Sequence, residues 1–205
     1  MQHKGTQILE TERLILRPFQ ASDVEPVFQN WTSDEKVTTY LTWPTHQTIQ
    51  DTQDYIQFCI QSYSQKKTYR WVIELKENQH PIGDISVVSL DERVQAAELG
   101  WVSGSRWWGQ GYMPEALEAV THFLLEEVGC LRITAVHDSE NRPSGRVMEK
   151  VGMTYEGTLR QAARNNRGIV DIAIYCNRPI TRYLSNHSLL LYTVIKNKTG
   201  GFIMS

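Results

Sequence analysis

Two hydrophobic periods alternate along the chain. Leu14, Ile15 and Leu16 form a short apolar run that Arg17-Pro18 stops, the pattern of a strand, and Ser22 is placed to cap a helix running from Asp23 toward Trp31. Thr48-Ile-Gln-Asp51 has the form of a capping box, in which each side chain satisfies the other residue's free amide. It opens a second helical run with Ile49, Ile56, Ile60 and Tyr63 on one side. Trp71 to Leu75, a turn at Glu77-Asn78, and Ile82 to Leu90 predict a hairpin. Ala97 to Val102 adds a third strand after the polar break Asp91-Glu92-Arg93. Beyond this antiparallel meander the pattern predicts a helix from Pro114 to Glu127, a strand from Leu131 to Val136 and a helix from Arg142 to Val151, then strands around Tyr155 to Leu159 and Ile169 to Tyr175. The order βααβββαβαββ describes one mixed α/β (α+β) domain.

Length agrees with a single unit. A chain of 205 residues, 40% of them hydrophobic and 21% charged, can bury one sizeable core, and no repeat or low-complexity linker divides it. The domain is expected to span 1–182, with 183–205 as an extension of unknown role. Within that extension Leu189 to Ile195 is apolar and β-prone, so it needs cover from the domain or from a second subunit, and a homodimer is one arrangement that supplies it. The formal net charge of -2 gives no global attraction to nucleic acid. Cys59, Cys130 and Cys176 are odd in number, dispersed and without metal-ligand spacing, which indicates neither a disulfide framework nor a zinc site. The six histidines are equally dispersed. The polar start of the chain and the lack of an apolar run of about eighteen residues predict a protein of the reducing cytoplasm, with no membrane contact.

The sharpest local feature is Arg106-Trp-Trp-Gly109-Gln-Gly111-Tyr-Met-Pro114, between a strand and an amphipathic helix. Two glycines allow positive φ and close backbone approach, and Pro114 suits a helix's first turn, where no amide hydrogen is needed. Such a loop can aim free amides at a diphosphate, helped by the helix dipole. A plain strand-to-helix turn is the other reading of the same glycines. GK[ST] is missing, and Pro114 occupies the third glycine position of a dinucleotide fingerprint, so a nucleoside triphosphate is disfavoured.

Arg106-x-x-Gly109-x-Gly111 resembles the R/Q-x-x-G-x-G/A acetyl-CoA motif of the GNAT superfamily of N-acetyltransferases. Thr11-Glu-Arg-Leu-Ile-Leu-Arg-Pro18 with Asp23, Glu98-Leu-Gly100-Trp101-Val102, and Asn141-x-x-Ser144-x-Arg146-Val147-x-Glu149-Lys150-x-Gly152 resemble blocks of its ribosomal-protein (RimJ/RimL-type) branch, covering about Thr11 to Tyr175. The resemblance implies a mostly antiparallel sheet of about seven strands whose fourth and fifth splay apart around pantetheine, flanked by about four helices. It implies acetyl-CoA as cosubstrate, no metal, and cofactor contacts from Trp101, Val102, Ser103, Arg106, Trp107, Trp108, Gly109, Gln110, Gly111, Tyr112, Asn141 and Ser144.

Amide formation requires an uncharged amine, a polarised thioester carbonyl and a proton for the departing thiolate. A ternary complex that holds both reactants needs no cysteine nucleophile. Glu98 is the candidate base, or else a strand-edge carboxylate. Ser144 is the candidate partner of the thioester sulfur, though Asn141 and Ser144 also suit a helix start. His137 is a minor acid/base candidate. Trp31, Tyr40 and Trp43 occupy the region where the family builds its acceptor site, and core packing explains them equally. Two positions depart from the family pattern: Met148 stands where many members have a tyrosine, and Ala163 where some have a glutamate. The expected acceptor is a protein N-terminal α-amine of ribosomal type. A small amine, such as a polyamine, amino-acid derivative or aminoglycoside, is the alternative, and a non-catalytic acyl-CoA sensor is an alternative of another class.

Overall fold

A computed structural model describes residues 1–177, so the extension 183–205 and the apolar segment 189–195 lie outside the described residues. One sheet organises the chain, with strands β1 (Leu9–Glu10), β2 (Leu14–Arg17), β3 (Arg70–Leu75), β4 (Pro81–Asp91), β5 (Ala96–Ser103), β6 (Arg132–Asp138), β7 (Thr154–Asn165) and β8 (Gly168–Asn177). Their order across the sheet is β1-β2-β3-β4-β5-β6-β8-β7. Every neighbouring pair is antiparallel except β5 and β6, whose parallel ladder runs only from Ala96–Arg132 to Leu99–Ala135. Beyond Leu99 and Ala135 both strands continue unpaired with each other, to Ser103 and Asp138, and a wedge opens between them. This is the splay that the resemblance implied for the fourth and fifth strands, Ala97 to Val102 and Leu131 to Val136. The eighth strand is the two-residue β1, too short to leave a periodic signal.

Helices α1 (Val24–Val27), α2 (Glu35–Thr38) and α3 (Ile49–Ser62) cover one face, and α4 (Tyr112–His122) and α5 (Arg142–Lys150) the other. The alternation of β3 serves both. Trp71, Ile73 and Leu75 enter the core under α4, while Val72 joins Val27, Trp31, Ile56, Cys59 and Val102 under α1 and α3. Fully burying one such side chain stabilises the fold by about 1.5–3 kcal/mol, so each face has its own anchor.

Two helical expectations change. The first helical stretch opens as a 3-10 turn at Ala21–Asp23, and Ser22 does not cap it; instead Asp23 accepts the Gln20 backbone N–H at 2.8 Å. The same carboxylate receives both Arg17 terminal nitrogens, at 2.8 and 2.9 Å, and Arg17 also bonds Glu74, which ties α1 to β2 and β3. Thr48 does cap α3 in a box with Asp51. The buried face of that helix, however, is Thr52, Ile56 and Cys59, whereas Ile49 and Ile60 are 41% and 39% exposed. Packing against a narrow wedge of sheet selects a tighter stripe than the apolar residues alone suggest.

Candidate active site

Two cavities meet at the splay. One, of about 320 Å³, runs between α2, the loop before α4 and the start of α5. The other, of about 520 Å³, lies over the face of β4 and β5 and is walled by residues 40–46, the end of β6 and the β7–β8 hairpin. Tyr40, Leu41, Trp101, Val102, Asn141 and Ser144 line both. A ligand in the first cavity can therefore touch a ligand in the second at this junction alone.

The narrower cavity is built around the start of α4. Gly109 and Gly111 have φ of 78° and 84°, and Gly111 is the residue that caps the helix. Among the described residues the amides of Gly109, Gln110 and Gly111 have no hydrogen-bond partner, so the loop offers its N–H groups outward. Trp108 Nε1 closes the loop onto the Ser103 carbonyl at 2.9 Å. Arg13 buttresses it from outside: its guanidinium donates to the Gln110 carbonyl at 3.1 Å and to Glu115 at 2.7 Å, and lies 4.4 Å over the Tyr112 ring. Thr11 also bonds Glu115. The N-terminal motif thus ties the glycine loop and the first turn of α4 to β2 through hydrogen bonds.

Sequence reasoning missed three cations in this groove. Lys36, Arg146 and Lys150 line it beside the glycine loop. Lys36 is set there by Asp34, which caps α2 through the Lys36 amide at 2.9 Å and accepts the Ser105 hydroxyl at 2.7 Å. Arg146 and Lys150 lie four apart on α5, a spacing that puts both on one face. That spacing was a readable signal. Of the cofactor contacts expected, Trp101, Val102, Ser103, Trp107, Trp108, Gly109, Gly111, Tyr112, Asn141 and Ser144 line the groove. Arg106 and Gln110 do not; both are exposed, and the Gln110 side chain turns back to the Arg106 carbonyl at 2.8 Å.

In the wider cavity Glu98 stands on β5, half-buried, and burial raises its pKa. It makes no hydrogen bond or ion pair with any described residue, so its oxygens are free for a ligand. Ser144 is in the first turn of α5, and Asn141 precedes that helix without using its side chain as a cap, which leaves both polar groups facing the junction. His137 donates from Nδ1 to the Asp138 carbonyl at 2.7 Å, and its Nε2 is aimed at Gly145, where a Cβ would sit 3.0 Å away. Met148 is wholly buried and Ala163 lines the wall. Neither offers a proton, which leaves Ser144 in α5 and Asn141 just before it as the polar groups on this side of the junction. Tyr40 and Trp43 line the cavity, but Trp31 does not; at 0% exposure it fills the core beneath, packed among Val27 and Ile56. His46, absent from the sequence-based candidates, lines the wall with Nδ1 2.8 Å from Thr52 Oγ1, and burial lowers its pKa.

A clasp ties the wall of this cavity to the β7–β8 hairpin. At the tip of the β7–β8 hairpin, Asn166 donates its backbone N–H to the Leu41 carbonyl at 3.1 Å and its side-chain amide to the Thr38 and Trp43 carbonyls, each at 2.8 Å. Arg167 lies 5.3 Å over the Tyr40 ring while bonded to the buried Asp138 at 3.0 Å. The loop that carries Tyr40, Leu41 and Trp43 is held by this clasp together with the bonds Thr38–Thr45 and His46–Thr32.

The model of the acetyltransferase (GNAT) domain family matches residues 13–154, more than half of the chain. The chain belongs to the GNAT acetyltransferase family. The uncharacterized N-acetyltransferase YoaA of Bacillus subtilis (strain 168) is 33% identical over 168 residues, 82% of this chain and 94% of that protein. The ribosomal-protein-serine acetyltransferase of Escherichia coli (strain K12) is 25% identical over 172 residues, covering 80% of this chain and 92% of that protein. Among solved structures, the ribosomal L7/L12 alpha-N-protein acetyltransferase RimL in complex with coenzyme A has the same fold, with a TM-score of 0.75 at 21% identity over 84% of this chain and 98% of that one.

As a member of the GNAT family the chain is an acetyltransferase, and the cosubstrate of that family is acetyl-CoA. Its narrower groove fits that molecule. Outward amides at a helix start suit a diphosphate, Lys36, Arg146 and Lys150 add positive charge, and the wedge between β5 and β6 leaves strand amides open to an extended, amide-bearing arm. The three cysteines are buried and line neither cavity; burial pushes Cys59 and Cys130 up to about 11, so they stay thiols. Among the described residues no cluster of metal-ligating side chains occurs, and no helix is long and apolar enough to cross a membrane.

Proposed function

We propose that this GNAT enzyme acetylates a primary amine by direct attack in a ternary complex, with acetyl-CoA in the groove and the amine in the wider cavity. The junction carries the reading: the cavities share six lining residues and meet beside Ser144, while Glu98 stands free in the wall of the acceptor side. Acetyl-CoA supplies an activated carbonyl. Glu98 takes the proton of the attacking amine, directly or through water, and its raised pKa makes it a better base than an exposed carboxylate. The Ser144 hydroxyl, in the first turn of α5, donates toward the departing thiolate. Positioning provides most of the acceleration, so a buried thiol nucleophile is unnecessary.

The preferred acceptor is a protein N-terminal α-amine. Similarity to the Escherichia coli ribosomal-protein-serine enzyme supports this, and so does proton chemistry, since an α-amine near pKa about 8 needs less help from a carboxylate than a lysine near about 10.4. A small amine is the second reading, favoured by the clasp, because Asn166 ties the hairpin tip to the loop that carries Tyr40, Leu41 and Trp43 and so holds the cavity wall in one place. Labelled acetyl-CoA offered to dialysed cell extract and, separately, to a pool of small amines separates the two by where the label ends. Label on protein N-termini supports the first and label on small amines alone supports the second. Tight acetyl-CoA binding with no transfer to either sinks the catalytic reading in favour of an acyl-CoA sensor.

A further inference from the structure

The floor of the acceptor cavity carries a cation that the transfer itself does not use. Arg70 on β3, Ser86 on β4 and Gly100 on β5 are direct cross-strand neighbours and form one row beneath the cavity. Arg70 gives one donor, Nη1, to the Tyr55 hydroxyl at 3.0 Å, and among the described residues no carboxylate stands within 4.0 Å of it. A guanidinium has five N–H donors, so beyond Tyr55 and the neighbouring Cys59 thiol several remain for the cavity that Arg70 lines. The nearby Asp84, 6% exposed, accepts from the same phenol at 3.4 Å and attracts Arg70 by charge without an ion-pair contact. The charge of Arg70 is therefore balanced at a distance without being capped. Ser86 adds a hydroxyl that bonds no described residue. Gly100 leaves the third position of the row without a side chain; a Cβ there would press on Val88 at 2.9 Å.

We infer that the acceptor carries an oxyanion, a carboxylate or a phosphate, which docks on Arg70 and Ser86 while its amine lies at Glu98. A planar fork beside a hydroxyl suits an oxyanion, which can accept from two guanidinium N–H groups at once. Glu98 lies two residues along β5 from Gly100, and Arg70 two strands across. Strand spacings put their Cα atoms roughly 12 Å apart, and both side chains reach inward from there. The acceptor then separates amine and oxyanion by several bonds, as an ω-amino acid or a peptide with an acidic side chain near its N-terminus does. A simple alkylamine or a diamine leaves the fork unfilled.

This inference rests on the wider cavity being the acceptor site, and binding and transfer are read separately. Calorimetry on the full chain saturated with coenzyme A compares aminohexanoate, aminopentyl phosphate, hexylamine and diaminohexane, with serine-led peptides bearing glutamate or glutamine as a further pair. The expected result is a preference of about tenfold or more for the oxyanion-bearing member, the worth of one charge-assisted hydrogen bond. Arg70→Gln should erase that preference, Arg70→Lys should restore part of it, and coenzyme A affinity should hold in both. Ser86→Ala, a smaller change, should reduce the preference if Arg70→Gln does not fold. The carboxylate and phosphate arms, and the free and peptide arms, tell the sources apart. Equal affinity for hexylamine, tighter binding of diaminohexane, or a preference that survives in Arg70→Gln overturns the inference. Oxyanion-selective binding with no acetylated product sinks the catalytic reading alone, whereas equal kcat/KM for hexylamine and aminohexanoate sinks this one alone.

Discussion

Replacing Asp84 by asparagine should change how the stability of this acetyltransferase depends on pH. The carboxyl is 6% exposed on β4, and burial, opposed by Arg70, Tyr55 and Trp31, raises its pKa from 3.8 to about 6. The folded chain therefore holds this proton more tightly than the unfolded one. Below about pH 4 both forms are protonated and the site costs nothing. As pH rises the unfolded chain ionises first, and the cost grows until the folded carboxyl also ionises near about 6. A shift of roughly two units at 1.36 kcal/mol each makes the full cost about 3 kcal/mol at neutral pH. Asparagine does not titrate, so its own hydrogen bonding adds only an offset independent of pH. Urea unfolding followed by circular dichroism, at steps from about pH 4 to about pH 7, measures the variant's free energy minus that of the wild type. That difference should move in the variant's favour by about 3 kcal/mol across the range. Parallel curves would refute the reasoning, and a shift in the opposite sense would mean that Arg70 holds the carboxylate ionised against burial.

Glu98→Gln should lower kcat by about a hundredfold or more while acetyl-CoA affinity is kept, and the part of the acid-side pH profile due to Glu98 should disappear; unchanged kinetics would remove its role as base. Arg13→Ala frees the Gln110 carbonyl and takes the guanidinium from Glu115, which keeps only Thr11 and a backbone N–H, so acetyl-CoA binding measured by calorimetry should weaken by about tenfold with the amine KM unmoved, and a change confined to the amine KM would contradict the buttress. Gly111→Trp puts a bulky side chain at a φ of 84° in the mouth of the cradle, and acetyl-CoA affinity surviving it would show that the phosphates lie elsewhere. Asn166→Ala removes two hydrogen bonds from the clasp and should raise the amine KM by about tenfold at constant acetyl-CoA affinity; equal effects on both substrates would point to general destabilisation instead.

By itself the sequence determined whatever is written in local patterns. The Thr48 cap, the meander of β3 to β5, and the two glycines with Pro114 that turn a strand into α4 are decided within a few residues by torsional preference and hydrophobic period, and each was legible. Glu98 and Ser144 were found through likeness to family motifs rather than through any local signal. The β7–β8 hairpin was seen too short, because the side chains of β7 are mostly exposed and leave no alternation to read, and its tip at Asn166 went unnoticed. Trp31 looked like a ligand-binding aromatic and proved to be core, since an aromatic residue in sequence carries no sign of which side of a helix meets solvent. Tertiary structure alone decided that β5 and β6 part beyond Leu99 and Ala135, that Arg70, Ser86 and Gly100 line up across three strands, and that Asn166 reaches Leu41 from the far end of the sheet. The physical reason is range. Capping, turns and periodicity act along the backbone, but a cavity is empty space bounded by residues distant in sequence, and its chemistry exists only once packing has brought them face to face.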